Sequence, residues 1–184
     1  MSCIINAGRL EPCKDSVGGI NALYFINFGD VTGLTYDTTG TVADEITNLG
    51  VLTAYKYDVK GTGNNLEETI TSSRDNGTTF FSQVVNAQLK KMDAATTEQV
   101  KLLSWGRPHI VVEDLNGNAR IAGLVEGCDL TGGTITTGTA RGDLNGYTLS
   151  FLGEERLPAG FLQGAVLGDP FAGMTDTVTV VTGS

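Results

Sequence analysis

Residues 66–89, LEETITSSRDNGTTFFSQVVNAQL, decide the fold class. Their second half admits two periodicities. Phe81, Val85, Leu89 and Met92 recur at near-helical spacing, whereas Phe81, Val85, Ala87 and Leu89 stand against Ser82, Asn86 and Gln88 as the faces of a strand would. The Asn76-Gly77 pair settles the choice. It supplies the positive φ values of a tight primed turn, and such a turn demands a partner arm. Leu66, Glu68 and Ile70, set against Glu67, Thr69 and Thr71, provide that arm. The segment reads as one long β-hairpin.

Strand signals continue outward from it. KGTGNN (60–65) is a loop by composition, and GVLTAYKYDV (50–59) alternates with period two. GLTYDTTGTVADEI (33–46) carries a Thr-Thr-Gly turn between short strand-like pieces. INALYFINF (20–28) is a strand rich in aromatic and branched residues, preceded by an irregular arm over 1–19 that Pro12 and Gly18-Gly19 interrupt. On the other side, TTEQVKLLSW (96–105) is the one helix, with Thr96 and Gln99 as a capping box and Gly106 then Pro108 as the stop. HIVVED, NARIAGLV, TITTGTA, GYTLSFLGEE and DTVTVV follow as strands. The chain of 184 residues thus reads as one domain over 1–184, long enough to bury a sizeable core. It comprises an N-terminal arm (1–19), a mainly β core over 20–160 forming a β-sandwich or barrel with one flanking helix, and a C-terminal extension (161–184).

Composition excludes several functions. Only 12 Lys and Arg face 21 Asp and Glu, giving a net charge of -9. A surface that grips phosphate backbones needs the opposite balance. Just 18% of residues are charged, which argues against disorder, and the 25 glycines are about twice an average share. Cys3, Cys13 and Cys128 are too few and scattered for a disulfide framework. With no secretory signal pattern in MSCIINAGRL, synthesis in a reducing cytoplasm is expected. No window approaches a membrane span.

Asp-Leu-Asn-Gly occurs twice, at 114–117 and 143–146. A calcium loop would place oxygen donors at alternate positions and a glutamate beyond. Asn116 and Asn118 follow Asp114, but Arg120 falls at the next ligand position, and Tyr147 follows Asn145. Both segments therefore read as turns, in which Asp and Asn cap their own backbone. The single histidine, His109, has no serine in a nucleophile elbow to serve. Glu154 and Glu155 are neighbours on a strand, so they face opposite sides and read as a solvated sheet edge. GLVEGCDLTGGTITTG (123–138) lacks the lysine of a phosphate-binding loop and reads as a loop. Neither a catalytic residue, a cofactor nor a metal is expected.

The order of these segments resembles a bacteriophage tail tube protein. The likeness is carried by SCIINAGRLEPCKDSVGGINALYFIN, ETITSSRDNGTTFFSQVVNAQLKK, TTEQVKLLSW, HIVVEDLNGNARIAGL and NGYTLSFLGEERLP, which together span roughly residues 2–160. The resemblance implies a virion structural protein without catalysis, made in the host cytoplasm and located in the tail. Its copies would form homo-oligomeric rings, six to a ring, stacked into a hollow tube, with other phage tail proteins as partners and DNA as passing cargo. The arm, the 60–65 loop and the hairpin tip are then the candidate subunit contacts: Cys3, Arg9, Cys13, Lys60, Gly61, Asn64, Asn65, Arg74, Asp75 and Asn76. The alternatives are a capsid decoration or head-tail connector protein, and a ligand-binding β-sandwich module. The last would need exposed aromatics on one face, and the chain has a single tryptophan, Trp105.

Overall fold

The computed structural model describes residues 8–38 and 45–183, which form a mainly β domain with three sheets and a single helix. The hairpin is present as β5 (Asn65–Ser73) and β6 (Thr78–Lys90), paired antiparallel from Asn65↔Asn86 to Ser73↔Thr78. Its turn is not the tight primed form. Four residues, Arg74 to Gly77, separate the paired ends, and only Gly77 has a positive φ (63°). The Gly77 N–H donates to Arg74 O, and the Asn76 N–H to Ser73 Oγ. A four-residue loop closes on one left-handed residue where a two-residue Asn-Gly turn needs two.

Two more strands complete this sheet. β10 (Gly146–Glu155) pairs with β6, and β9 (Asp129–Thr136) pairs with β10, giving the order β5-β6-β10-β9. Strand β9 occupies part of the glycine-rich stretch expected to be a loop. Gly132 and Gly133 sit in the strand itself, where a Cβ on Gly133 would meet Thr148 O at 2.7 Å. Glycine there marks close backbone approach within a sheet rather than a turn. Gly146 is tighter still, since a Cβ would lie 2.1 Å from Leu89 O.

The larger sheet runs β11 (Gly160–Phe161), β8 (Ala119–Ala122), β7 (His109–Asp114), β1 (Ile20–Ile26), β4 (Leu52–Asp58) and β12 (Val178–Thr182), in that spatial order. Its central strands β1 and β7 are buried along most of their length. Leu23, Phe25, Ile110 and Val112 face the first sheet, packing with Val85, Tyr147, Leu149 and Phe151. Ala22, Tyr24, Ile26 and Val111 face the other way. That second face is covered by β3 (Ile46–Leu49), which pairs with β2 (Leu34–Tyr36), and by Leu162 and Phe171 from beyond the expected core. Tyr24 and Phe171 meet edge to face at 5.5 Å. A third layer therefore lies over the sandwich. An antiparallel sheet in a two-layer sandwich keeps one face wet, and this one does not. The Thr-Thr-Gly turn between β2 and β3 extends outside the described residues.

The helix α1 (Ala94–Trp105) begins two residues before the expected start. Asp93 is its N-cap, accepting from Thr96 N and Thr96 Oγ1, both at 2.7 Å. The Thr96–Gln99 capping box is thus replaced by an aspartate cap, which leaves Ala94 and Ala95, both strong helix formers, inside the helix. Gly106 closes the other end through its N–H to Leu102 O. Only Val100 is buried, and the Thr97 hydroxyl meets Tyr147 Oη at 2.6 Å. No helix among the described residues is long and apolar enough to cross a membrane.

Candidate subunit-contact surfaces

The residues with titratable or nucleophilic side chains singled out in the sequence are, for the most part, engaged in holding the fold. His109 is buried, its Nδ1 2.6 Å from Gly123 O and its Nε2 facing the Gly29 N–H. That pair of partners assigns the ring proton to Nδ1. Phe28 stacks on its face at 5.4 Å. Cys128 is also buried, and burial followed by the nearby Glu155 and Asp129 charges pushes its thiol up to about 12. Cys13 is exposed, and Cys3 lies outside the described residues. Glu155 corrects the expectation of a solvated edge. It is buried, and its Oε1 accepts from Val125 N and Glu126 N at 2.8 Å each, while Glu154 is exposed.

The two Asp-Leu-Asn-Gly segments are turns of different construction. Asp114 bridges the β7–β8 connection, with Oδ1 accepting from Asn116 N and Asn118 N, and Oδ2 from the Asn118 side chain. Burial alone would raise its pKa, but these hydrogen bonds from Asn118 and Asn116 hold it below the ordinary value. Asp143 reaches backwards, its Oδ2 accepting from Thr139 N and Ala140 N. Those backbone donors, Ala140 first, lower its pKa.

Two polar clusters, one buried and one partly buried, have little signature in the sequence. Glu113 is fully buried and accepts from Tyr24 Oη at 2.9 Å, from the Asn21 amide at 3.1 Å and from the Gly168 N–H. It thereby pins the covering segment to the large sheet. Glu68 pairs with Arg120 at 2.7 Å and accepts from Ala159 N and the Gln83 amide. Gln83 in turn accepts from Gly123 N, so the cluster ties the two sheets together. Only the inward phase of Glu68 between Leu66 and Ile70 hinted at it.

The candidate contact residues fall into three places. Arg9 and Cys13 lie on an exposed segment without regular structure, which is anchored where Asn116 exchanges hydrogen bonds with both backbone groups of Val17. Leu10 on this segment is 92% exposed. Lys60 and Gly61 are exposed, but Asn64 is buried: its side chain donates to Gly61 O and accepts from Gln88 N. Asn64 shapes the loop against β6, and Asn65 opens β5. Arg74, Asp75 and Asn76 form the exposed hairpin tip. Beyond Phe81, where β10 pairing stops, β5 and β6 continue to the tip as a two-stranded ribbon.

Among the described residues, the four-stranded sheet leaves both outer strands, β5 and β9, unpaired on one side. Its strand midpoints step in one direction from β5 to β9, by about one to two residues per strand. The face turned from the core carries Glu67, Thr69, Ser82, Asn86, Thr148, Ser150 and Glu154, with Val84 opposite Leu152 and Phe80 near the tip as apolar members, as fixed by register. On the core side, an open groove of about 820 Å³ runs between α1 and β9, lined by Val100, Leu130, Gly133, Ile135 and Leu149 among others. Comparison with protein-family models, with curated proteins and with solved structures finds no match to this chain.

Proposed function

We propose that this chain is a structural virion protein whose copies join edge to edge into rings, and that the rings stack into a hollow tail tube that conducts DNA. The observation that carries this reading is the four-stranded sheet, which has the attributes of one segment of a closed wall. Both edges are open among the described residues, the strands step in one sense, and one face is mostly polar. Stagger in a single sense is what tilted strands in a barrel require. An even number of alternating strands means that rotated copies meet antiparallel, β9 of one beside β5 of the next. Such pairing removes edges that would otherwise aggregate.

A ring of six copies, the number that the resemblance implies, would close to roughly 50 Å across, at about 4.8 Å between strands and about 40° of tilt. Its lumen would present mostly hydroxyl and amide groups, with Glu67 and Glu154 and the apolar pair Val84 and Leu152 among them. Lacking a basic track, such a surface lets DNA slide without binding. The exposed arm around Leu10 would then reach a neighbouring ring.

Negative-stain microscopy of the purified protein tests this reading, with rings or tubes expected. A protein that stays monomeric at high concentration sinks it. Deleting residues 2–16 should leave the domain folded, since the first strand begins at Ile20, yet stop rings from stacking. Normal tubes from the truncated chain would show that the arm is no inter-ring tie.

A further inference from the structure

Ile70 is an apolar side chain on the core-facing side of β5, yet it is 65% exposed. Its phase matches Leu66 and Glu68, which do find cover within the chain. At the opposite edge of the same sheet lies the reverse condition. The groove between α1 and β9 is walled by Val100, Leu130, Ile135 and Leu149, with Gly133 at its base, where the Leu149 side chain stands 3.3 Å from the place a Cβ would take. One edge carries a projecting group without a socket, and the other carries a socket without an occupant.

Continuing the sheet links the two. If the stagger seen from β5 through β6 and β10 to β9 is carried across one more strand, the midpoint of the next copy's β5 falls beside Thr134. Antiparallel pairing then sets Thr69 of that copy opposite Thr134 and Ile70 opposite Gly133. Side chains of opposed residues lie on one face of a sheet. Ile70 therefore projects on the core side, into the groove beneath α1. Glu68 keeps its partners Arg120 and Ala159 within its own copy, so no charge is stranded.

We infer that Ile70 of one copy inserts into the α1–β9 groove of its neighbour, opposite Gly133, and selects the register in which copies join. This rests on the edge-to-edge reading above. It assigns the loosely packed helix a task, as the outer wall of a socket that only a second copy completes. Edge strands alone pair in several registers, because backbone hydrogen bonding is indifferent to sequence. A single apolar side chain in a matching groove removes that freedom.

The test uses the full chain. Ile70→Asp should leave the far-ultraviolet circular dichroism unchanged, because the side chain is exposed in the single copy, and should reduce rings and tubes at least tenfold by sedimentation. Ile70→Leu should retain assembly. In a background with Cys3 and Cys13 changed to serine, copies carrying Ile70→Cys mixed with copies carrying Ile135→Cys should yield cross-linked dimers with a short bismaleimide, once assembled. Rings that form normally from Ile70→Asp, or assembled cysteine variants that give no cross-link, overturn the socket and leave the tube reading standing. A wild-type chain that never assembles overturns both.

Discussion

Asp114 and Asp143 share the same four-residue context but hold their carboxylates differently, and substitution should separate them. Asp114 uses both oxygens, so Asp114→Asn turns one acceptor into a donor facing other donors. A cost of about 1 kcal/mol is expected, at the low end for a lost charge-assisted hydrogen bond because the site is partly exposed. Asp143 uses one oxygen for both of its bonds, and an asparagine carbonyl serves equally, so Asp143→Asn should be nearly silent. The pH dependence follows from the lowered pKa of Asp114. A depressed folded-state value contributes stability that is complete above the unfolded value near 4 and drains away as pH falls through the lower folded value. The gap between wild type and Asp114→Asn should therefore close in acid. Urea melts at pH 7 and pH 3 check this, and equal melts for the two asparagine variants at pH 7 would refute the distinction. The repeated motif was legible as turn chemistry, but which backbone groups each carboxylate meets depends on chain folded elsewhere.

Among the elements, α1 is the one most lightly held. Beyond Val100 and the partly buried Leu103, its attachment runs through Tyr147, whose hydroxyl meets Thr97 Oγ1 and donates to Asp93 O. Tyr147→Phe should cost about 1–2 kcal/mol, since the Thr97 hydroxyl loses a partner at a half-covered site. The effect should concentrate in α1, seen as faster amide exchange over 94–105 with β6 and β10 unchanged. Uniform acceleration across the domain would contradict it. The strands of the hairpin were readable because period two leaves a trace in every second residue. The loop joining them was not, because Asn-Gly suits connections of more than one length and the Ser73 hydroxyl helps choose between them. Gly132-Gly133 misled for a related reason. Glycine says that a side chain is unwelcome, not whether a turn or a neighbouring strand excludes it.

For the whole molecule, the third layer was the least legible feature. INALYFINF carries apolar residues in both phases, and such a run records burial without naming what buries it. Phe171 supplies part of the cover from a segment with little periodicity of its own. Phe171→Ala should therefore cost about 3 kcal/mol or more, as for other buried phenylalanines, and lower the melting temperature by several degrees. A shift within error would mean that the second face is covered by something other than Phe171. The candidate contact surface was legible only in part: the hairpin and arm announce themselves by length, whereas the groove exists only where α1 and β9 come together.

Asn48 donates to Asp176 across 128 residues of sequence, and β12 then lies parallel to β4. Contacts of such span form late, because a large loop must close before they stabilise anything. During synthesis the face bearing Ala22, Tyr24 and Val111 lacks the part of its cover that Leu162 and Phe171 supply until that late segment has left the ribosome. For that interval the nascent chain is sticky, and it is then that chaperone engagement and misassembly compete with folding. The covering segment acts in time as well as in space: it completes the surface of each copy only after the rest of the domain has been made.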